Sequence, residues 1–408
     1  MDATTGRYRW VVLASGTFAQ TSYSAIWLGV AVMAPALRSG LHLSLGQTGV
    51  LLSASLAGSV LSLIPWGLAT DRFGERRVLV VGLALCGAAL IGASQVDSFA
   101  ALALLLALAG LTGASVQSAS GRAVMHWFPS SQRGVALAIR QTAIPLSGFA
   151  VSLAIPPVEH AGGVGWGFAA LGAACLAGAV AGLLIRESPE SAVATGAGDD
   201  VVDVRPLRDR RIWTLSLGSA LVIAPQLCVT GFAVVFLHDH RGLTAASAAR
   251  VLAVMQVGAI AGRIAAGRWS DVAGSRIMPL RTIAVVASSL VALLGLLVDA
   301  PLGALLPVLV VGGVLSMSWN SLSFAAAVEL AGAGRSGSAI GVQQTILNLP
   351  GVLYPALFGA LVAASSWRIG FVTVAVFPLA GWYVLRSLDR SRPVVLRRSA
   401  RRAEVGVD

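Results

Sequence analysis

Gly67-Leu68-Ala69-Thr70-Asp71-Arg72-Phe73-Gly74-Glu75-Arg76-Arg77 stands between two strongly apolar runs, and 200 positions later comes Gly267-Arg268-Trp269-Ser270-Asp271-Val272-Ala273-Gly274-Ser275-Arg276. Gly, Asp, Gly and Arg recur in register. Each copy ends one apolar helix and begins the next. The first glycine is expected to permit close helix packing, the Asp to sit at the helix end, and the second glycine to support a tight turn. A charged hairpin of this kind belongs at a membrane face, and its return at the same place in a second half points to a duplicated unit.

The stretch resembles the loop between helices 2 and 3 of major facilitator superfamily transporters, written G-x-L-x-D-x-x-G-R-[KR], with its weaker repeat between helices 8 and 9. The first copy departs from it at Glu75, where the family prefers a basic residue, and the second lacks the Leu. The resemblance implies a gating role for Gly67, Asp71, Arg72, Gly74 and Arg76, and for Gly267, Asp271, Gly274 and Arg276. It extends that role to Arg122 near the end of helix 4. Glu329, an acid inside an apolar segment close to its cytoplasmic end, is read from its position as a further gate residue.

Composition agrees with a life in lipid. Of 408 residues 56% are hydrophobic and only 12% charged, too little charge for a soluble chain of this size. The net charge of +11 raises the question of nucleic acid, but no aromatic-rich basic domain exists to bind it. All 29 basic residues are Arg, and they divide between alternate loops. Arg38, Arg241, Arg250 and Arg368 fall in one set of loops and most of the others in the opposite set. By the positive-inside rule both termini are cytoplasmic. Cys86, Cys175 and Cys228 lie inside apolar runs without metal or disulfide spacing and read as small buried packers. Met1 to Arg9 leads into a long apolar segment with no cleavage site, which reads as a first membrane helix.

Twelve apolar segments, near 10–36, 47–69, 78–96, 98–125, 133–157, 166–186, 212–237, 246–269, 279–298, 301–329, 336–363 and 367–387, can each cross a core that needs about 20 helical residues. The fold class is therefore an all-α membrane protein with two six-helix pseudo-repeats. The halves are 1–186 and 212–387, joined by a polar cytoplasmic linker over 187–211 and followed by a basic tail, 388–408. At an offset of 203, Trp10 falls on Trp213, Gln117 on Asn320, and Gly134, Ala136, Gln141, Thr142 and Gly148 on Gly337, Ala339, Gln344, Thr345 and Gly351, while Arg140 falls on Gln343. Duplicates of this kind are expected to bind substrate near the midplane where they meet.

Polar groups within lipid are candidates for function, since a charge at the centre costs a few kcal/mol. Arg122, Arg140 and Arg263 each lie roughly 10–12 Å in from the cytoplasmic helix ends at 1.5 Å per residue. Gly262-Arg263-Ile264-Ala265-Ala266-Gly267 resembles helix 8 of the oxalate/formate exchanger and monocarboxylate porter branches, where an Arg at this place contacts a carboxylate. The porters' acid one turn earlier is Ala259 in this chain. The alternative role for Arg263 is to pair with Asp271 or Glu329 at a gate. Arg140 belongs to a helix with a bend expected at Pro145, and it either faces the substrate or anchors helix 5. Gln20, Tyr23, Gln117, Gln226, Trp319, Asn320, Gln343 and Gln344 complete a polar and aromatic lining on family analogy, or else join helices by hydrogen bonds.

No Asp or Glu lies near the middle of helices 1, 4, 5, 7 or 8, and His42, His126, His160, His238 and His240 fall at helix ends or in loops. The drug-antiporter signature of helix 5 is broken, because Ile144-Pro145-Leu146-Ser147-Gly148-Phe149 lacks both outer glycines of G-P-x-x-G-G. No catalytic triad, phosphate loop or metal spacing is present, so neither an enzyme nor a cofactor is expected. The reading is a secondary transporter of the cytoplasmic (inner) membrane, a monomer whose partners are a small-molecule substrate and the lipid bilayer, with no nucleic acid. The substrate is expected to be an organic anion such as a carboxylate. Efflux of a hydrophobic drug or metabolite is one rival, and a non-transporting membrane sensor is another.

Overall fold

Long apolar runs with few breaks can satisfy their backbone in lipid only as helices, and every regular element among the described residues is helical. The computed structural model describes residues 3–128, 136–137, 139–186, 209–331 and 336–388, with the side chains of 3–6, Asp71, Val328 and 336–341 left aside. The expected linker up to residue 208, Gly134 and the basic tail from residue 389 lie outside the described residues.

The helices are α1 (Ala3–Leu41), α2 (Leu45–Phe73), α3 (Glu75–Ala93), α4 (Phe99–Trp127), α5 (139–162), α6 (164–182), α7 (Arg210–His240), α8 (Ala245–Val272), α9 (Ile277–Leu296), α10 (Leu302–Ala331), α11 (Ser336–Ala364) and α12 (Trp367–Leu385). Eleven described stretches are long and apolar enough to span a membrane, and that from Ile139 to Gly182, 44 residues long, consists of two helices. It reverses at Gly163, whose φ of 77° and ψ of −177° no helix continues through. Helix 5 thus runs through Pro156 and Pro157, past the boundary expected at residue 157, and ends only at this glycine. Arg250, expected in a loop, lies in the second turn of α8.

Short loops make successive helices antiparallel and so define two faces. On one, Ser44 and Gln47 form a capping box for α2, and Ser98, Thr244 and Ser366 cap α4, α8 and α12. On the other lie the two charged hairpins. Within each half the helices approach to backbone contact: a Cβ at Gly58 would lie 1.9 Å from the Ala107 carbonyl oxygen, and one at Gly110 would lie 1.8 Å from that of Ser55. Lipid gives no hydrophobic drive for helices to associate, so this α2–α4 seam depends on small residues and dispersion.

The halves meet along α2–α11, α5–α8 and α1–α7. On the capped side the fit is tight, since a Cβ at Gly49 would lie 2.3 Å from the Pro355 carbonyl oxygen and one at Gly359 would lie 2.3 Å from that of Leu45.

Candidate functional site

The site begins with a proline. Pro145 has no N–H to offer the carbonyl four residues back, so the carbonyl of Gln141 is left without its helical partner. The chain turns at Thr142, whose N–H bonds to Ile139 O at 3.0 Å, and α5 resumes at Ala143. The break expected at Pro145 therefore falls three residues earlier. Arg263 of α8, from the other half, fills the vacancy: its Nη1 donates to Gln141 O at 3.1 Å. Its Nε donates to Met317 O at 3.0 Å. Met317 lies in the last turn of the first piece of α10, which ends at Ser318, where carbonyls run out of intrahelical donors. Arg263 thus clasps two broken helices, one from each half. It does not pair with Asp271 or Glu329, both of which are held by Arg276.

Next to Gln141, Arg140 is buried at 6% exposure, and its Nη1 donates to Gln20 Oε1 at 3.0 Å and to Ser120 Oγ at 3.1 Å. The second half repeats this arrangement at the same offset of 203. Gln343 replaces Arg140, Ser323 replaces Ser120, and the amide nitrogen of Gln343 donates to Ser323 Oγ. Ser219, at the position of Gly16, joins Ser323 at 2.5 Å. Ser120 and Ser323 were not singled out in the sequence, although the offset that matches Arg140 with Gln343 also matches them.

The other expected lining residues divide. Tyr23 is turned into its own half, with its hydroxyl bonded to Ser59 and its ring against Gly113. Trp319 is fully buried and donates to Ser316 O at 2.8 Å, at the break in α10. Gln226 is buried, whereas Gln117, Asn320 and Gln344 are half-buried. Gln226 follows a break at Ile223 in α7, Gln117 follows one at Ala114 in α4, and Asn320 follows that at Trp319. Among the described residues no group of His, Cys, Asp or Glu gathers as a metal site requires.

In the hairpins Gly74 and Gly274 have φ of 81° and 60°, the left-handed region the turn demands. The first glycines behave differently from expectation. A Cβ at Gly67 or at Gly267 would meet nothing within 4 Å, so neither marks a close helix contact as the halves now stand. The Asp71 side chain lies outside the described residues. In the second hairpin Arg276 bonds Glu329 at 2.8 Å and also Asp271, joining α8, α9 and α10. Burial lowers the Arg276 pKa, but the bonds from the Glu329 and Asp271 carboxylates outweigh it and hold the group above its ordinary value. The first hairpin carries the same latch with the charges exchanged. Glu75 on α3 contacts Arg122 at 3.2 Å and His126 at 2.8 Å, both on α4. Glu75, the departure from the family pattern, is the acid that Arg122 meets.

Known proteins agree with this architecture. The family model described as Major Facilitator Superfamily matches residues 15–355. The chain belongs to the major facilitator superfamily. An uncharacterized MFS-type transporter of Mycobacterium tuberculosis (strain CDC 1551 / Oshkosh) is 34% identical over 373 residues, 91% of this chain and 83% of that one. A probable nitrate/nitrite antiporter of Thermus thermophilus is 26% identical over 275 residues, 65% of this chain and 62% of that one. The crystal structure of a bacterial homolog of the human lysosomal transporter Spinster shares the fold with a TM-score of 0.78 at 17% identity, covering 94% of this chain and 97% of that one. This major facilitator protein is a multi-pass membrane transporter, not an enzyme.

A contact that sequence reasoning missed ties the transporter's halves on the capped face. Arg38, in the last turn of α1, forms an ion pair with Asp239 at the end of α7, and His238 also reaches Asp239 at 2.7 Å. Reversing one charge, Arg38→Asp, is expected to loosen this end. A cysteine at Leu43, buried beside Arg38, then reacts several-fold faster with a membrane-impermeant maleimide, and adding Asp239→Arg restores the slower rate.

Proposed function

We propose that this transporter is a secondary carrier that moves a small organic anion across the cytoplasmic membrane by alternating access, with its termini on the cytoplasmic side and its charge-binding site at Arg140 and Arg263. One observation carries the reading. Two guanidiniums in membrane-spanning helices of opposite halves converge on one turn of α5, and the groups they bond are neutral: an amide, a hydroxyl and two backbone carbonyls. The acids that pair among the described residues do so elsewhere, with Arg38, Arg122, Arg211, Arg276 and Arg368 and with histidines. A charge at the bilayer centre costs about 2.5–3.5 kcal/mol on insertion scales. Neutral acceptors reduce that cost without cancelling the charge, and a carboxylate cancels it through short, charge-assisted bonds.

The same geometry links binding to movement. Arg263 holds α5 of the other half through a single neutral carbonyl, and a carboxylate is the stronger acceptor for a guanidinium. An anion arriving beside Arg140 draws Arg263 from Gln141 and releases the α5–α8 clasp, so the loaded state differs from the empty one in what joins the halves. The Thermus thermophilus relative is a probable antiporter of nitrate and nitrite, which are likewise anions. The test is uptake of a labelled monocarboxylate into proteoliposomes. Arg263→Gln is expected to lower the initial rate at least ~10-fold, the loss of one charge-assisted bond. An unaltered rate removes Arg263 from the site.

A further inference from the structure

The repeat matches three polar positions of one half with three of the other. At the offset of 203, Tyr23 falls on Gln226, Gln117 on Asn320 and Arg140 on Gln343. At these positions what each half leaves unfilled differs in kind. Arg140 has a buried Nε with no acceptor, so the first half lacks a negative partner. At the three matching positions of the second half the unfilled atoms are acceptors: Gln226 Oε1, Asn320 Oδ1 and Gln343 Oε1 are buried without a donor. They are the amide oxygens in that condition among the described residues, and they come from three helices, α7, α10 and α11.

Gln343 is fully buried and Gln226 is 6% exposed. Buried polar groups that make no bond destabilise a fold, and they persist where another role keeps them. Gln343 keeps one end of its amide on Ser323, and the other end is left over.

We infer that the substrate is a hydroxylated organic acid, whose carboxylate goes to Arg140 and whose hydroxyl groups donate to the amide oxygens of Gln226, Asn320 and Gln343. This rests on the anion reading above and adds the chemistry of the substrate's other end. Hydroxyls fit better than an ammonium, since the described acids of the second half are engaged elsewhere: Asp209 by Arg211, Asp239 by Arg38, Asp299 by His240, and Asp271 and Glu329 by Arg276. A plain aliphatic acid leaves all three oxygens unfilled, as does a small inorganic oxyanion, and a site built to bond a hydroxyl discriminates strongly against an analogue that lacks one. The three oxygens are enclosed as the halves stand, and substrate reaches them when the halves part.

Gluconate and hexanoate share chain length and carboxylate and differ in hydroxyls, so full-length protein in nanodiscs titrated with each gives the test. Gluconate is expected to bind at least ~10-fold more tightly. Gln343→Met and, independently, Gln226→Leu are expected to weaken gluconate roughly 10-fold and so narrow its lead over hexanoate, and gel-filtration profiles and thermal unfolding show that the variants fold. Equal affinities in the wild type, or variants that weaken both acids alike, overturn the inference. If hexanoate binds without any hydroxyl preference and Arg140→Gln abolishes it, the anion reading stands and only the hydroxyl assignment falls. If neither acid binds and an uncharged polyol or a hydrophobic cation does, both fall.

Discussion

Arg140→Gln is expected to reduce anion uptake at least ~100-fold, which corresponds to about 2.7 kcal/mol, the range of a buried charge-assisted hydrogen bond. The protein remains folded. The second half of the chain supports that expectation of folding, because it carries glutamine at the matching position, Gln343, bonded to Ser323 as Arg140 is bonded to Ser120. A glutamine at residue 140 can keep the bond to Ser120 and approach Gln20, so the variant removes charge while retaining the local contacts. Removing an unneutralised buried cation also lifts a desolvation cost, and the variant is expected to unfold at a temperature no lower than the wild type. Arg140→Lys keeps the charge and loses the planar fork, and its uptake falls between the two. Initial rates in proteoliposomes, alongside gel-filtration profiles, separate these effects. Uptake in Arg140→Gln within twofold of wild type would sink the assignment of charge binding to this residue.

What was legible in the sequence follows from the length scale of each feature. The spans were legible because an apolar run of helical length has few other uses, and the hairpins were legible because Gly74 and Gly274 need a left-handed backbone that glycine supplies. Arg140 and Arg263 stood out as charges inside apolar helices. The carbonyl that Arg263 binds was half legible: Pro145 announces that Gln141 O lacks a helical donor, but nothing local says that the donor comes from α8. The Arg38–Asp239 pair was hidden for the same reason. Each residue reads alone as a loop charge that sets topology, and only the meeting of α1 with α7 makes them partners. Glu75 reads in the sequence only as a mismatch to the family pattern, and the packing of α3 against α4, where Arg122 and His126 meet it, gives it a partner.

Gly110→Ala is expected to prevent a stable fold, whereas Gly67→Ala leaves it intact. The motif drew attention to Gly67, and nothing in the sequence marked Gly110. Both replacements gain about 1 kcal/mol of helix propensity, so packing decides the outcome. At Gly67 a methyl meets nothing within 4 Å, and the propensity gain stands. At Gly110 the methyl would lie 1.8 Å from the Ser55 carbonyl oxygen and within 2.7 Å of the Ser55 Cα, backbone atoms that no side-chain rotamer can move aside. The helices must separate, and the separation strips contacts along the whole α2–α4 crossing, including Gly58 against Ala107 and the Ser59 hydroxyl 3.3 Å from Gly110 O. Overpacking of a core by a methyl group costs roughly 1–3 kcal/mol where side chains can adjust, and this backbone-on-backbone seam has no such freedom. Because helices in lipid are held by close packing instead of by exclusion from water, that loss is not recovered elsewhere. Gel filtration in detergent and thermal unfolding are expected to show a monodisperse peak near the wild-type melting temperature for Gly67→Ala and aggregation, or a fall of ten degrees or more on the scale of about 4 °C or less per kcal/mol in larger domains, for Gly110→Ala. A normal peak and melting temperature for Gly110→Ala would mean that α2 and α4 do not cross at Ser55 and Gly110, and the N-terminal bundle would then need a different helix arrangement.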